Sequence, residues 1–256
     1  MAAWRDAGLL LVGHGAAGTP AARDSVLAHI ERIRALGLFA EAQAAFLKDE
    51  PPLEGALERF KSARVFVVPH FMSAGTLSRM LTPERLGLSG PIARSANRIT
   101  IFCEPPGIDP ELADLIRERA SAVCAECGIE PAQARLLLVG HGSTKDTASA
   151  DNLRRHAERL RRQGGFLEVA AAFLEEAPRL GEVVGRPQPE PVIVMGLFAA
   201  EGVHADRDVR RLLAERDPRG NRLVYAGAIG ADPGFLRFIL CAVENAERGA
   251  RREGAP

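Results

Sequence analysis

The chain has 256 residues, 46% hydrophobic and 26% charged, and its 33 Lys and Arg balance its 33 Asp and Glu to a formal net charge of zero. That is the composition of a globular protein with enough chain for one large core or two medium ones, and without a basic excess to draw nucleic acid or an acidic membrane surface. No apolar run approaches the roughly 20 residues of a membrane span, the N-terminal run is too short for a secretion signal, and four scattered cysteines are too few to staple the chain. A cytoplasmic protein with reduced thiols and no membrane contact is expected.

In chain order, LLLVGHG at Leu9–Gly15 reads as a buried strand ending in a glycine-flanked histidine. DSVLAHIERIRAL follows with Val26, Ile30 and Ile33 at helical spacing. AQAAFL, RVFVV and RITIF are three further short apolar runs of the kind that form strands buried on both faces of a parallel sheet. CGIEPAQA then brings Gly, Pro and polar residues near Glu126–Ala134, and LLLVGHG recurs at Leu136–Gly142.

The recurrence has a fixed register. His141 stands 127 residues after His14; AAFLEEAP (Ala171–Pro178) stands 127 after AAFLKDEP (Ala44–Pro51), as does EGVH (Glu201–His204) after AGTL (Ala74–Leu77). GADP (Gly230–Pro233) follows GIDP (Gly107–Pro110) by 123, as one shorter connection would produce. The second copy repeats the pattern with DNLRRHAERLRRQ as helix and VAAAFL, PVIVM and RLVYA as runs. The chain is therefore read as two tandem, similar β-α-β-α domains, 1–128 and 129–256, each with a parallel four-stranded sheet flanked by helices.

In such sheets ligands gather beyond the carboxyl ends of the strands. With the first strand between the second and third, His141, Glu175 and His204 would converge from three loops of the second copy. Two imidazoles and a carboxylate suit a borderline divalent metal such as Co²⁺, Fe²⁺, Ni²⁺ or Zn²⁺, and they also suit proton acceptance near neutral pH. The first copy keeps His14 but has Lys48 and Leu77 at the other two positions, so it cannot complete that set. Ser143, Thr144 and Thr147 precede a helix whose hydroxyls and backbone N–H groups could receive carboxylates or phosphates. No organic cofactor is expected.

GHGS at Gly140–Ser143, AFLEEAP at Ala172–Pro178 and LFAAEGVHADRD at Leu197–Asp208 resemble the class II chelatases of the CbiX and SirB group, whose long members are also two tandem units. The resemblance implies a lyase that inserts a divalent metal into sirohydrochlorin, in cobalamin or siroheme biosynthesis, with the tetrapyrrole held between two chelatase-like repeats. By position it implies that His141 and His204 are the paired active-site histidines and metal ligands, with Glu175 as their acid. His14, Ser143, Thr144, Lys145 and Arg207 are then candidates for substrate binding, together with Arg210 and Arg211, because the tetrapyrrole's acidic side chains call for helix N-termini and bases. In long members the histidine pair is expected in the first half, where this chain has Leu77. The motifs leave the oligomeric state open.

Plainer readings stand beside these. His29 and His156 fall inside helices and are expected to be structural, and Cys124 and Cys127 end a helix with no second pair to form a metal site. His70, in VVPHFMSAG, lies near the expected site, but its counterpart is Leu197. A histidine-dependent hydrolase is disfavoured because Gly13 and Gly140 stand where a histidine phosphatase has arginine. A binder of metal or tetrapyrrole without turnover would use the same groups.

Overall fold

The computed structural model describes residues 4–16, 19–143, 146–187, 189–201, 204–219 and 222–252, without the side chains of residues 204 and 205. The first repeat runs β1 (Trp4–Gly13), α1 (Pro20–Leu36), β2 (Phe39–Phe46), β3 (Arg64–Pro69), α2 (Thr82–Arg85), β4 (Ile92–Ser95), β5 (Arg98–Phe102) and α3 (Leu112–Glu126). The second runs β6 (Arg135–Gly140), α4 (Ala148–Gln163), β7 (Glu168–Phe173), α5 (Leu180–Val184), β8 (Val192–Gly196), α6 (His204–Arg216), β9 (Leu223–Ala228) and α7 (Leu236–Arg252).

All four apolar runs of each repeat are strands. The second sheet is parallel in the order β7-β6-β8-β9, and the first follows the same plan as β2-β1-β3-β5-β4. In each, the strand carrying LLLVGHG is central, flanked in parallel register by the next two. The first sheet departs from the expected four strands by one. Ile92–Ser95 turns back through Ala96 and Asn97 and pairs antiparallel with β5 as an edge strand. Its half-exposed Ile-Ala-Arg-Ser pattern lacks the continuous apolar run that marks a doubly buried strand.

Alternation along the central strands divides each core. In the first sheet Leu10, Val12, Val65 and Val67 face a cluster with Leu53, Ala56, Phe60 and Phe71. In the second, Leu137, Val139, Val192 and Val194 pack against Leu180 and Val184 of α5 and Val209 and Leu213 of α6. The helices α1 and α4 supply Val26, Ile30 and Ile33, and Leu153, Ala157 and Leu160, as buried residues at the expected spacing.

The compact units do not follow the repeat boundary. One consists of residues 1–109 with 232–256, and the other of residues 110–231. The helix that closes each repeat thus belongs to the other repeat's sheet: α3 packs on β8, β9 and α4, while α7 packs on β3, β5 and α1. The α7 seat is made by a buried carboxylate. Glu247 accepts a hydrogen bond from Trp4 Nε1 at 3.1 Å and pairs with Arg64 and Arg251, each at 3.3 Å. Among the described residues, no helix is long and apolar enough to cross a membrane.

Candidate active site

The site is built by strands that end together. At the carboxyl end of the central strand β6 the ladder continues past the last regular pair, with Leu174 N–H donating to Gly140 O at 3.1 Å and Glu175 N–H to His141 O at 2.9 Å. On the other side Leu197 N–H donates to Val139 O at 2.7 Å. The main chain at His141 is therefore held by β7's extension while the segment leaving β8 runs beside it. The first repeat copies this arrangement, with Leu47 N–H to Gly13 O, Lys48 N–H to His14 O and His70 N–H to Val12 O at 3.1, 2.9 and 2.8 Å.

The His141 imidazole meets the edge of Phe198, with centroids 5.1 Å apart and planes at 69°. It is open to solvent yet set among enough protein to be desolvated. This lowers its pKa below the ordinary histidine value, and the negative charges of Glu175 and Asp208 partly restore it. The result is an imidazole that is neutral at pH 7 beside two anions, the state in which a histidine binds metal or takes a proton. Glu175 is exposed at the end of β7, and α6 opens at His204, whose side chain lies outside the described residues. Among the described residues no group of three His, Cys, Asp or Glu side chains is arranged to hold a metal ion.

Residues placed near the site by sequence divide into groups. The Ser143 N–H is already taken, donating to Glu176 Oε2 at 2.9 Å, and the Ser143 hydroxyl accepts from Asp146 N–H at 3.2 Å. The Asp146 carboxylate accepts from the N–H of Ala148, the first residue of α4, at 2.9 Å. Arg207 is exposed on α6. Arg210 pairs with buried Asp206 at 3.1 Å and covers the Tyr225 ring at 4.8 Å, and Arg211 pairs with Asp208 at 3.4 Å. Tyr225, half-buried against Asp206, has its phenol pKa pushed up by burial and by that carboxylate. Thr144 and Lys145 lie outside the described residues.

In the first repeat His14 is half-buried, Lys48 follows β2, and Leu77, 39% exposed, begins a π-helical turn over Leu77–Leu81. His70 belongs to the core: it is fully buried, its ring 5.3 Å from that of equally buried His29 and 5.2 Å from that of Phe235. His156, the counterpart of His29, is also buried and meets Asn152 at 3.2 Å. Cys124 is buried and Cys127 exposed, both free, with Cys124 raised in pKa by burial. Glu176 escaped the sequence reading, although its position beside Glu175 in AFLEEAP and opposite a glycine turn was visible.

The CbiX family model matches residues 8–123 and again 135–246. A probable sirohydrochlorin cobaltochelatase of Halobacterium salinarum is 29% identical over 91% of this chain and 89% of its own length. Among solved structures, CbiX described as the terminal enzyme for biosynthesis of siroheme in denitrifying bacteria has a TM-score of 0.75 at 27% identity, covering 93% of this chain and 99% of its own. A multi-domain protein of Deinococcus radiodurans with structural similarity to chelatases has a TM-score of 0.78 at 25% identity over 94% of this chain, which spans only 55% of that longer one. Two matches in tandem, on the duplicated sheets and the duplicated histidine turns, place this chain in the CbiX family.

Proposed function

We propose that this chain inserts a divalent metal ion, Co²⁺ or Fe²⁺, into sirohydrochlorin or a closely related tetrapyrrole, and that the second repeat carries the reaction. The observation that carries the reading is the convergence of strand ends at His141, a solvent-open imidazole whose main chain is hydrogen-bonded to that of Glu175 on the neighbouring strand's extension. The next segment in space opens α6 at His204. The first repeat offers Lys48 and Leu77 at those two positions, a cation and a hydrocarbon that repel or ignore a metal ion.

Insertion replaces two pyrrole N–H protons by one metal ion, so two protons must leave. His141 and His204 would hold the incoming ion, and Glu175 would ligate it or accept a pyrrole proton. Neutral imidazole and ionised carboxylate are the states that serve both tasks. Arg207, exposed on α6, would receive one of the tetrapyrrole's carboxylates. The choice among Co²⁺, Fe²⁺ and Ni²⁺ follows from supply as much as from this donor set.

The test is spectroscopic insertion into sirohydrochlorin with the three metals in parallel, for the wild type and for His141→Ala, His204→Ala and His14→Ala. The first two substitutions should lower kcat/KM on the order of 100-fold or more, and the third far less. Unchanged insertion by the His141→Ala/His204→Ala double variant would overturn the assignment. Tetrapyrrole binding by the wild type with no metal ever entering would identify a binder instead.

A further inference from the structure

The turn that carries His141 is clamped by a second acid. Gly142 sits at φ +70°, where glycine is at ease, and a Cβ there would lie 2.6 Å from Glu176 Cγ and 3.1 Å from Phe173 Cβ. The Glu176 stem is thus packed directly beneath the turn. One carboxylate oxygen accepts from Ser143 N–H at 2.9 Å, and the other accepts from Arg154 Nη2 at 2.7 Å. Arg154 belongs to α4 and is itself seated over the Phe173 ring at 4.9 Å. Because Glu175 N–H holds His141 O, the backbone is fixed on the residue itself and again two residues on.

The first repeat supplies an internal comparison. Asp49 stands at the position of Glu176 and also packs under a positive-φ glycine, its Cβ 2.5 Å from where a Gly15 Cβ would lie. Its carboxylate, one methylene shorter, accepts instead from Glu50 N–H at 2.8 Å, and Arg23 approaches only to 4.0 Å. Leu27 occupies the place of Arg154. The strand-to-turn packing is shared, while the carboxylate that hydrogen-bonds both the turn and the following helix belongs to the repeat that has Glu175 and His204.

We propose that Glu176 is a positioning residue for the metal-handling histidine: by tying the Gly142–Ser143 turn to Arg154 on α4 it sets where the His141 imidazole points. Glu176 acts through His141 and touches neither metal nor tetrapyrrole. The inference rests on His141 being the residue that meets the metal. A histidine whose backbone is held at its own carbonyl and again two residues on loses little orientational freedom when the ion arrives, and outer partners of metal ligands are worth about 10–100-fold in affinity.

Two measurements test it: Co²⁺ titration of the tetrapyrrole-free protein followed by the cobalt absorption bands, and insertion kinetics that separate the KM for Co²⁺, the KM for sirohydrochlorin, and kcat. Glu176→Ala should weaken Co²⁺ binding and raise its KM about 10-fold or more, while the KM for sirohydrochlorin stays within about twofold. Glu176→Gln, which keeps an oxygen for Ser143 N–H but loses the ion pair to Arg154, should weaken Co²⁺ binding by less than Glu176→Ala does, and Asp49→Ala should leave Co²⁺ binding unchanged. Should Glu176→Ala fold poorly, Glu176→Gln and Arg154→Ala decide, both with intermediate weakening expected. Wild-type Co²⁺ affinity in these variants, equal rises in both KM values, or an equal effect of Asp49→Ala would overturn the proposal. A wild type that binds Co²⁺ but inserts nothing would refute the chelatase reading and leave the binding comparison to judge the clamp. A wild type that binds no Co²⁺ would refute both.

Discussion

Glu247→Ala should destabilise the first unit while sparing the second. The carboxylate side chain is 10% exposed and is the partner of Trp4 Nε1 at 3.1 Å and of Arg64 at 3.3 Å. Its removal leaves a buried indole N–H without an acceptor, at a cost of about 1–3 kcal/mol. Arg64, 19% exposed, keeps Asp6 at 2.9 Å, so its loss is about 1 kcal/mol. Arg251 is 68% exposed and adds next to nothing. The sum is roughly 3 kcal/mol, and Glu247→Gln, which retains one acceptor, should cost about 1 kcal/mol. With a urea slope of roughly 2 kcal/mol per molar, the midpoint should fall by about 1.5 M for the alanine variant. The chain contains one tryptophan, Trp4, and one tyrosine, Tyr225, so the first reports on the unit that contains Glu247 and the second on the other. A Trp4 transition unmoved by Glu247→Ala, or a Tyr225 transition moved as far as the Trp4 one, would refute the reasoning.

Two other outcomes are expected. Gly142→Ala combines a left-handed backbone with a 2.6 Å approach to Glu176 Cγ and should cost about 2–4 kcal/mol in urea unfolding; Gly128→Ala, at φ +67° with nothing within 4 Å, should cost about 1–2 kcal/mol. In histidine-resolved NMR of the metal-free protein, His141 should titrate below the ordinary histidine range, because burial disfavours its charged form. Its neutral, metal-competent form then persists to more acidic pH. Glu175→Gln removes an anion that favours the imidazolium and should push the titration lower still; an upward move would show that the charge arrangement is misread.

Most of the duplicated architecture could be read from residue order because both sheets are buried, and buried strands announce themselves as unbroken apolar runs such as LLLV and PVIVM. Two members of the candidate site, His141 and Glu175, could be expected side by side for a related reason: each follows such a run, so the parallel pairing of the two strands brings their main chains together. The edge strand Ile92–Ser95 was illegible because half its residues face water and no period stands out. Glu176 was hidden by its neighbour, since nothing in the dipeptide Glu175-Glu176 tells which carboxylate faces outward and which turns beneath Gly142. The true seats of α3 and α7 depend on which sheet each helix reaches, and both helices carry an apolar stripe that would suit either repeat.

That exchange of closing helices has a consequence for the order in which a ribosome completes the molecule. Residues 110–231 form one uninterrupted stretch and can close their sheet as soon as they have emerged. The unit begun at Trp4 must wait for α7, with Phe238, Ile239 and Val243 buried in it and Glu247 as the acceptor for the Trp4 indole. The half of the protein made first is therefore the half finished last, and a chain that stops after Ala231 but before Leu236 has a complete second unit attached to a first sheet that lacks α7.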